Sequence, residues 1–294
     1  MPQRQALGDS TCRKPTSVKW IVVRLVTAMP NPDLPVELLD HIVDLLHDTD
    51  YELKSCCLVS KSWIPRTRRH LFAHVLFRDA KDLQSWKTTF PDPFTSPAYY
   101  TRNLSIRFCP VAVAAGGEEG GWIQTFSRTV RFEIGTLSEP ATFLLPFHRF
   151  SPTLKSLHLV FTALPSALVF DFVSSFPLLE DLSVFTRDSV SLGGGVDGKL
   201  TIAQSSSPPP FTGTLRLCLK MGMNPIASRL LSLQKGLHFR KLDLVWFSRE
   251  DSMSGAALVE RCSPTLQFLL IGVGITCTSS WHPYSRGRLT FVCS

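Results

Sequence analysis

Short apolar segments with a Leu-x-Leu core recur along the last two thirds of the chain, and this recurrence constrains the fold most. They are HVLF (74–77), NLSIRF (103–108), VRFEI (130–134), LKSLHLV (154–160), LEDLSV (179–184), LRLCL (215–219), RKLDLVW (240–246) and LQFLLI (266–271). With Leu104, Phe132, Leu157, Leu182, Leu217, Leu242 and Leu269 as markers, the steps are 28, 25, 25, 35, 25 and 27 residues. Two copies are plainly alike, SPTLKSLHL (151–159) and SPTLQFLLI (263–271). Helical patterns precede several strands, as in SALVFDFVSSF before LEDLSV and GAALVERC before SPTLQFLLI. A strand and a helix in so few residues cannot bury their own apolar face, so the pattern predicts neighbours stacked in a curved parallel sheet. With 44% hydrophobic and 19% charged residues, the chain is too apolar for global disorder.

The stretch before the repeats is helical in pattern. Leu38, Leu39, Ile42, Val43, Leu45 and Leu46 recur at helical spacing, and Pro35 fits the first turn, where its missing N–H is harmless. Thr49 followed by Glu52 is a capping-box pattern opening a second helix through Leu53, Cys56 and Cys57. A third helix is expected from Lys61 to Phe72, with Pro65 in its early turns. Three helices in about 40 residues make a very small core, so an apolar stripe this wide should meet a partner.

LPVELLDHIVDLL followed by LKSCCLVSKSW resembles an F-box over residues 33–73. Leu34, Pro35, Glu37, Leu38, Leu39, Ile42 and Leu45 match the opening of that pattern, and Val59, Ser60, Lys61 and Trp63 match its close. Ser60 stands where many members carry Cys. The continuation WIPRTRRHLF is similar to the large F-box families of mushroom-forming fungi. The repeat period falls in the leucine-rich-repeat range, but the asparagine ladder of regular members is missing, so the array is irregular. The expected fold is α/β: an N-terminal three-helix F-box followed by an irregular leucine-rich-repeat solenoid with a curved parallel sheet. The expected organisation is a flexible tail (1–29), the F-box (30–73), the repeat array (74–275) and a C-terminal cap or irregular tail (276–294). Exposed loops are expected at GGEEGG (116–121) and at the Gly, Ser and Pro-rich segment of the long step.

Charge narrows the function. The net charge is +7, distributed as +4 over residues 1–29, −1 over 30–90 and +4 over 91–294. Arg66, Arg68 and Arg69 form the only dense basic cluster of the body, and a nucleic-acid binder should show a long basic stripe with interleaved aromatics, so no nucleic-acid partner is expected. No run of about 18 apolar residues exists, and Trp20–Met29 is short and interrupted by Arg24, so no membrane span or signal peptide is expected. The eight cysteines form no C-x-x-C pair and scatter through apolar runs, which fits buried thiols of an intracellular protein, cytoplasmic or nuclear.

The chemical motifs are weak. Gly193–Lys199 satisfies G-x4-G-K, but Leu200 replaces the magnesium-binding hydroxyl and no helix can follow through SSSPPP. His70 and His74 have i, i+4 spacing without a third ligand. Glu180 and Asp181 are neighbours on a strand and point to opposite faces, which argues against an acid/base pair. Asn103-Leu104-Ser105 is a sequon at a strand start. No catalytic residue, metal or cofactor is expected, and the chain is not expected to be an enzyme.

The resemblance implies a substrate-receptor subunit of an SCF-type ubiquitin ligase. It implies that Leu34, Pro35, Leu38, Ile42, Leu45, Val59 and Trp63 bind the Skp adaptor and through it a cullin–RING ligase, while the repeats bind an unknown target protein. The alternative is a non-catalytic repeat scaffold whose F-box does not support ubiquitin transfer.

Overall fold

The computed structural model describes residues 35–47, 49–92, 94–108, 119–137, 147–148, 150–161, 172–186, 211–218, 224–232, 237–246, 249–273 and 288–292. Leu34, the expected N-terminal tail and the Gly193–Lys199 loop lie outside the described residues. The chain forms two compact units, 1–67 and 68–294.

In the first unit, α1 spans Val36–Leu45 and α2 spans Asp50–Val59; a 3-10 turn, Lys61–Trp63, leads into α3, Ile64–Leu71, which runs past the unit boundary. Pro35 sits at the N-cap of α1, one residue before the expected first turn, and its carbonyl accepts from the N–H groups of Leu38 and Leu39. Thr49 does occupy the N-cap of α2, but no capping box forms. Its hydroxyl donates to the Leu46 carbonyl at 3.0 Å and closes the turn between the helices instead. The turn at Lys61–Trp63 packs against both α1 and α2. Val43, Leu53, Cys56 and Trp63 are buried, as is Thr67, whose hydroxyl donates to the Trp63 carbonyl at 2.7 Å. Arg66 on α3 ties back to α1: its Nε donates to Asp44 Oδ1 at 2.6 Å and its Nη2 to Asp44 Oδ2. This fork-to-fork pairing is the strong form of an ion pair, and it raises the Arg66 pKa further above its ordinary value.

The second unit is α/β. Its strands are β1 (His74–Phe77), β2 (Asn103–Ile106), β3 (Arg131–Leu137), β4 (Ser156–Phe161), β5 (Asp181–Thr186), β6 (Thr214–Cys218), β7 (Lys241–Trp246), β8 (Phe268–Val273) and β9 (Arg288–Val292). They form one sheet in chain order, with β1 to β8 parallel and β9 antiparallel on β8. Each strand therefore pairs only with its neighbours in sequence, as stacked repeats require. Helices α4 (Ala80–Thr89), α5 (Asn224–Leu231) and α6 (Arg249–Cys262) lie in the connections.

One feature of the sheet differs from the sequence reading, and a second adds to it. Leu182 is in register with Leu215, not Leu217, so the long step is 33 residues and the next is 27. Leu215 and Leu217 both point inward in a strand of period two, and hydrophobicity alone cannot choose between them. The last segment, expected as a cap or irregular tail, carries β9, whose register pairs Phe291 with Leu269.

The core is a ladder of inward-facing residues, including Leu104, Phe132, Leu157, Leu182, Leu215 and Leu242. A second ladder of phenylalanines precedes the strands: Phe126, Phe150, Phe176, Phe211 and Phe239 are all buried, with Phe150 touching Phe132 and Phe176 in edge-to-face contacts. Backbone carbonyls link the repeats. Ala73, Arg102, Val130, Lys155, Gly213 and Arg240 each accept from two consecutive N–H groups of the next repeat. Hydroxyls reinforce the link: Thr153 Oγ1 donates to the Thr129 carbonyl and Thr265 Oγ1 to the Phe239 carbonyl, each 3.2 Å. This accounts for the threonine that the two SPTL copies share.

The carbonyl ladder changes at the long step. Glu180 accepts from Gly213 alone, and the Thr214 N–H turns to Asp181 Oδ1 at 2.5 Å. A Cβ on Gly213 would overlap that carboxylate and approach the Glu180 carbonyl to 3.2 Å, so a larger residue there must push the Asp181 side chain aside. Phe211, two residues earlier, is buried at φ 44°, a left-handed conformation that is strained for an aromatic residue.

Candidate partner-binding surfaces

On α1, the apolar residues divide between two adjacent stripes. Leu39, Val43 and, at the C-cap, Leu46 are half-buried or buried, with Val43 at 1% exposure. Leu38, Ile42 and Leu45, at i, i+4 and i+7, form the other stripe; Leu38 is 50% and Leu45 66% exposed, and Ile42 is half-buried. On α2, Leu53 and Cys56 point inward while Tyr51, Leu58 and Val59 are exposed. The helix is short, so packing one face necessarily turns these others outward.

The seven residues expected to bind an adaptor fall into three groups. Pro35, Leu38, Leu45 and Val59 are exposed, and Ile42 is half-buried. Trp63 is 7% exposed and serves as core, with little of its ring available to a partner. Leu34 lies outside the described residues. Sequence reasoning did not select Tyr51 and Leu58, at 80% and 89% exposure; their i, i+7 spacing on α2 was the available signal.

The second unit presents a different surface. Opposite the leucine ladder, the sheet's other face carries three rows. The first includes Asn103, Arg131, Ser156, Asp181 and Thr214. The middle row runs Ser105, Glu133, His158, Ser183, Arg216 and Asp243 across six strands. The third is apolar, with Val160, Phe185, Cys218 and Val245. Arg216 Nε donates to Asp243 Oδ2 at 2.8 Å, and Asp243 is buried at 6% exposure, so this pair orders the centre of the row. The His158 ring stacks flat on Phe185, centroids 4.8 Å apart. Burial lowers the His158 pKa below its ordinary 6.5; Arg131 and Arg216 act in the same direction and Glu133 opposes them.

The chemical motifs resolve into structural partners. Lys155 pairs with Glu180 at 2.7 Å while Asp181 holds the Thr214 N–H, so these adjacent acids serve different tasks. Asn103 Nδ2 donates to His74 Nδ1 at 2.8 Å, engaging both the sequon amide and one of the spaced histidines. Burial pushes the Cys262 thiol up to about 11, opposed by a Phe239 backbone hydrogen bond and the Arg261 charge, so it packs as a neutral group. Among the described residues, no group of three His, Cys, Asp or Glu can hold a metal ion, and no helix is long and apolar enough to cross a membrane. No protein-family model matches the chain, and no curated protein matches it.

Proposed function

We propose that the chain is a substrate receptor of an SCF-type ubiquitin ligase, with an F-box in the first unit and irregular leucine-rich repeats in the second. One observation carries the reading: Pro35, Leu38, Leu45 and Val59, residues of the F-box pattern, are exposed on a unit whose core is only a few side chains. A small unit that turns large apolar groups outward is a surface built for a partner. The Skp adaptor would cover the outward stripe of α1 together with Val59, and Leu34 extends that stripe by resemblance alone. Trp63 contributes by holding the helices that present it.

The second unit would face the target protein. In this reading the chain performs no covalent chemistry. It raises the effective concentration of a target lysine at the ubiquitin-charged enzyme that the cullin–RING assembly brings.

The test is co-expression with a Skp adaptor followed by size-exclusion chromatography. The proposal expects a 1:1 complex that Leu38→Glu/Leu45→Glu abolishes without loss of helical circular dichroism. Absence of a complex with the folded wild-type chain would overturn it. Ubiquitin transfer to a bound protein, reconstituted with cullin and RING, separates the receptor from a scaffold that binds the adaptor unproductively.

A further inference from the structure

Six joins between parallel strands follow one rule, and the join between β5 and β6 departs from it. At the regular joins one carbonyl accepts two consecutive N–H groups, the first of them at 2.8–2.9 Å. Between β5 and β6 the first N–H, that of Gly213, lies 3.2 Å from the Glu180 carbonyl oxygen, and the second, that of Thr214, is held by the Asp181 side chain. A third bond, from the Phe211 N–H to the Leu179 carbonyl, is also 3.2 Å long. One link of this join is thus a rotatable carboxylate in place of a fixed backbone group.

Backbone strain falls at the same place. Phe211 enters the join at φ 44°, the only non-glycine residue among the described ones with a positive φ. Opening the join relieves that strain, so the strain lowers the cost of opening there. The aromatic packing is also interrupted. Phe176 touches Phe150 and Phe172, and Phe211 touches Phe239, but among the described residues no ring contact joins Phe176 to Phe211. No ring contact joins Phe126 to Phe132 either, yet that join keeps its paired link, with two N–H groups on the Arg102 carbonyl.

We propose that the array is built as two cooperative blocks, β1–β5 and β6–β9, which part at this seam before the sheet unfolds as a whole. In a stack of repeats each interface carries its own share of the stability, so opening starts at the weakest interface. The second block has fewer strands and opens first. The seam crosses the middle row of the open face between Ser183 and Arg216, which are in register across it. Glu133 and His158 therefore belong to one block, and the Arg216–Asp243 pair to the other. A partner lying across this row would hold the blocks together and suppress the opening. The inference does not rest on the receptor reading, and it is tested without adaptor or target.

The experiment is native-state hydrogen exchange of the full chain, read by mass spectrometry over a series of urea concentrations below the unfolding transition. Peptides covering β7 and β8 are expected to exchange about tenfold faster than those covering β2, β3 and β4, through an opening the latter do not share. Asp181→Ala should speed exchange in β7 and β8 by about a further tenfold and leave β2 to β4 within about twofold. Thr153→Val removes a side-chain link at the regular join of β3 and β4, and should change exchange in β7 and β8 less than about twofold. Where Asp181→Ala fails to fold, Asp181→Asn keeps an acceptor oxygen and should give a smaller acceleration confined to the same peptides. Exchange of both blocks through one shared opening, no acceleration in the Asp181 variants, or equal acceleration of both blocks would each overturn the proposal.

Discussion

The two units handle apolar surface in opposite ways. In the second, leucines and phenylalanines form two ladders, and each repeat covers its neighbour, so Leu157, Phe150 and Phe132 are fully buried. In the first, Val43, Leu53, Cys56 and Trp63 go inside, while Leu38, Leu45, Tyr51 and Leu58 stay outside. Stacking lets a repeat array bury its two ladders, because every added repeat brings a new inner face, although single residues such as Phe94 and Met253 stay exposed outside them. Helices as short as α1 and α2 have no such neighbour within their unit. Their outward residues therefore contribute little to the fold and are available to association, which is where an account of function should look first.

That contrast can be broken by mutation. Phe150→Ala should have the largest effect, destabilising the sheet by about 3–5 kcal/mol in urea unfolding. Gly213→Ala comes next, at about 2–3 kcal/mol, because a Cβ displaces the Asp181 carboxylate and strands the Thr214 amide. A Gly213→Ala melt matching wild type would refute the tight approach at the long step. Arg66→Ala removes the latch between α3 and α1, and the partial exposure of this pair limits the expected cost to about 1 kcal/mol. Its loss should appear in amide exchange of α1 before that of the strands.

Smaller still is a pH effect. His158 has a lowered pKa, so the unfolded chain binds a proton more readily than the folded one. Stability should fall as pH drops below about 6.5, the unfolded imidazole range, and the fall should continue to the folded pKa. His158→Gln should flatten that part of the pH profile; an unchanged slope would place the effect elsewhere. Leu45→Ala should change stability least, within about 0.5 kcal/mol, since it is surface-exposed. A cost close to that of Phe150→Ala would erase the difference between the units.

Much of the sheet was legible because a Leu-x-Leu strand signals itself in a few residues. All eight parallel strands overlap segments read from the sequence. Their register was less legible: Leu215 and Leu217 share a face, and only the pairing with Leu182 and Leu242 distinguishes them. The phenylalanine ladder is less legible, although Phe126, Phe150 and Phe176 stand at nearly constant distances before their strands, because those residues lie outside the Leu-x-Leu segments that carry the period. Strand β9 pairs through an antiparallel return from outside the repeat pattern, so no periodicity announced it. In the first unit, a motif gives identities and spacing but not which side faces solvent. Trp63 and Leu45 belong to the same pattern, yet one is core and the other surface. Only the crossing of the 3-10 turn against α1 and α2 decides that.

The central claim is that the outward stripe of the first unit is a docking face for the adaptor. Hydrogen–deuterium exchange of the full chain, with and without a Skp adaptor, tests it most directly. The account predicts added protection in peptides covering α1 and the end of α2, from residue 36 to 63, with exchange in β2 to β8 unchanged. Protection confined to the strands, or none in α1 at adaptor concentrations that saturate binding, would contradict it.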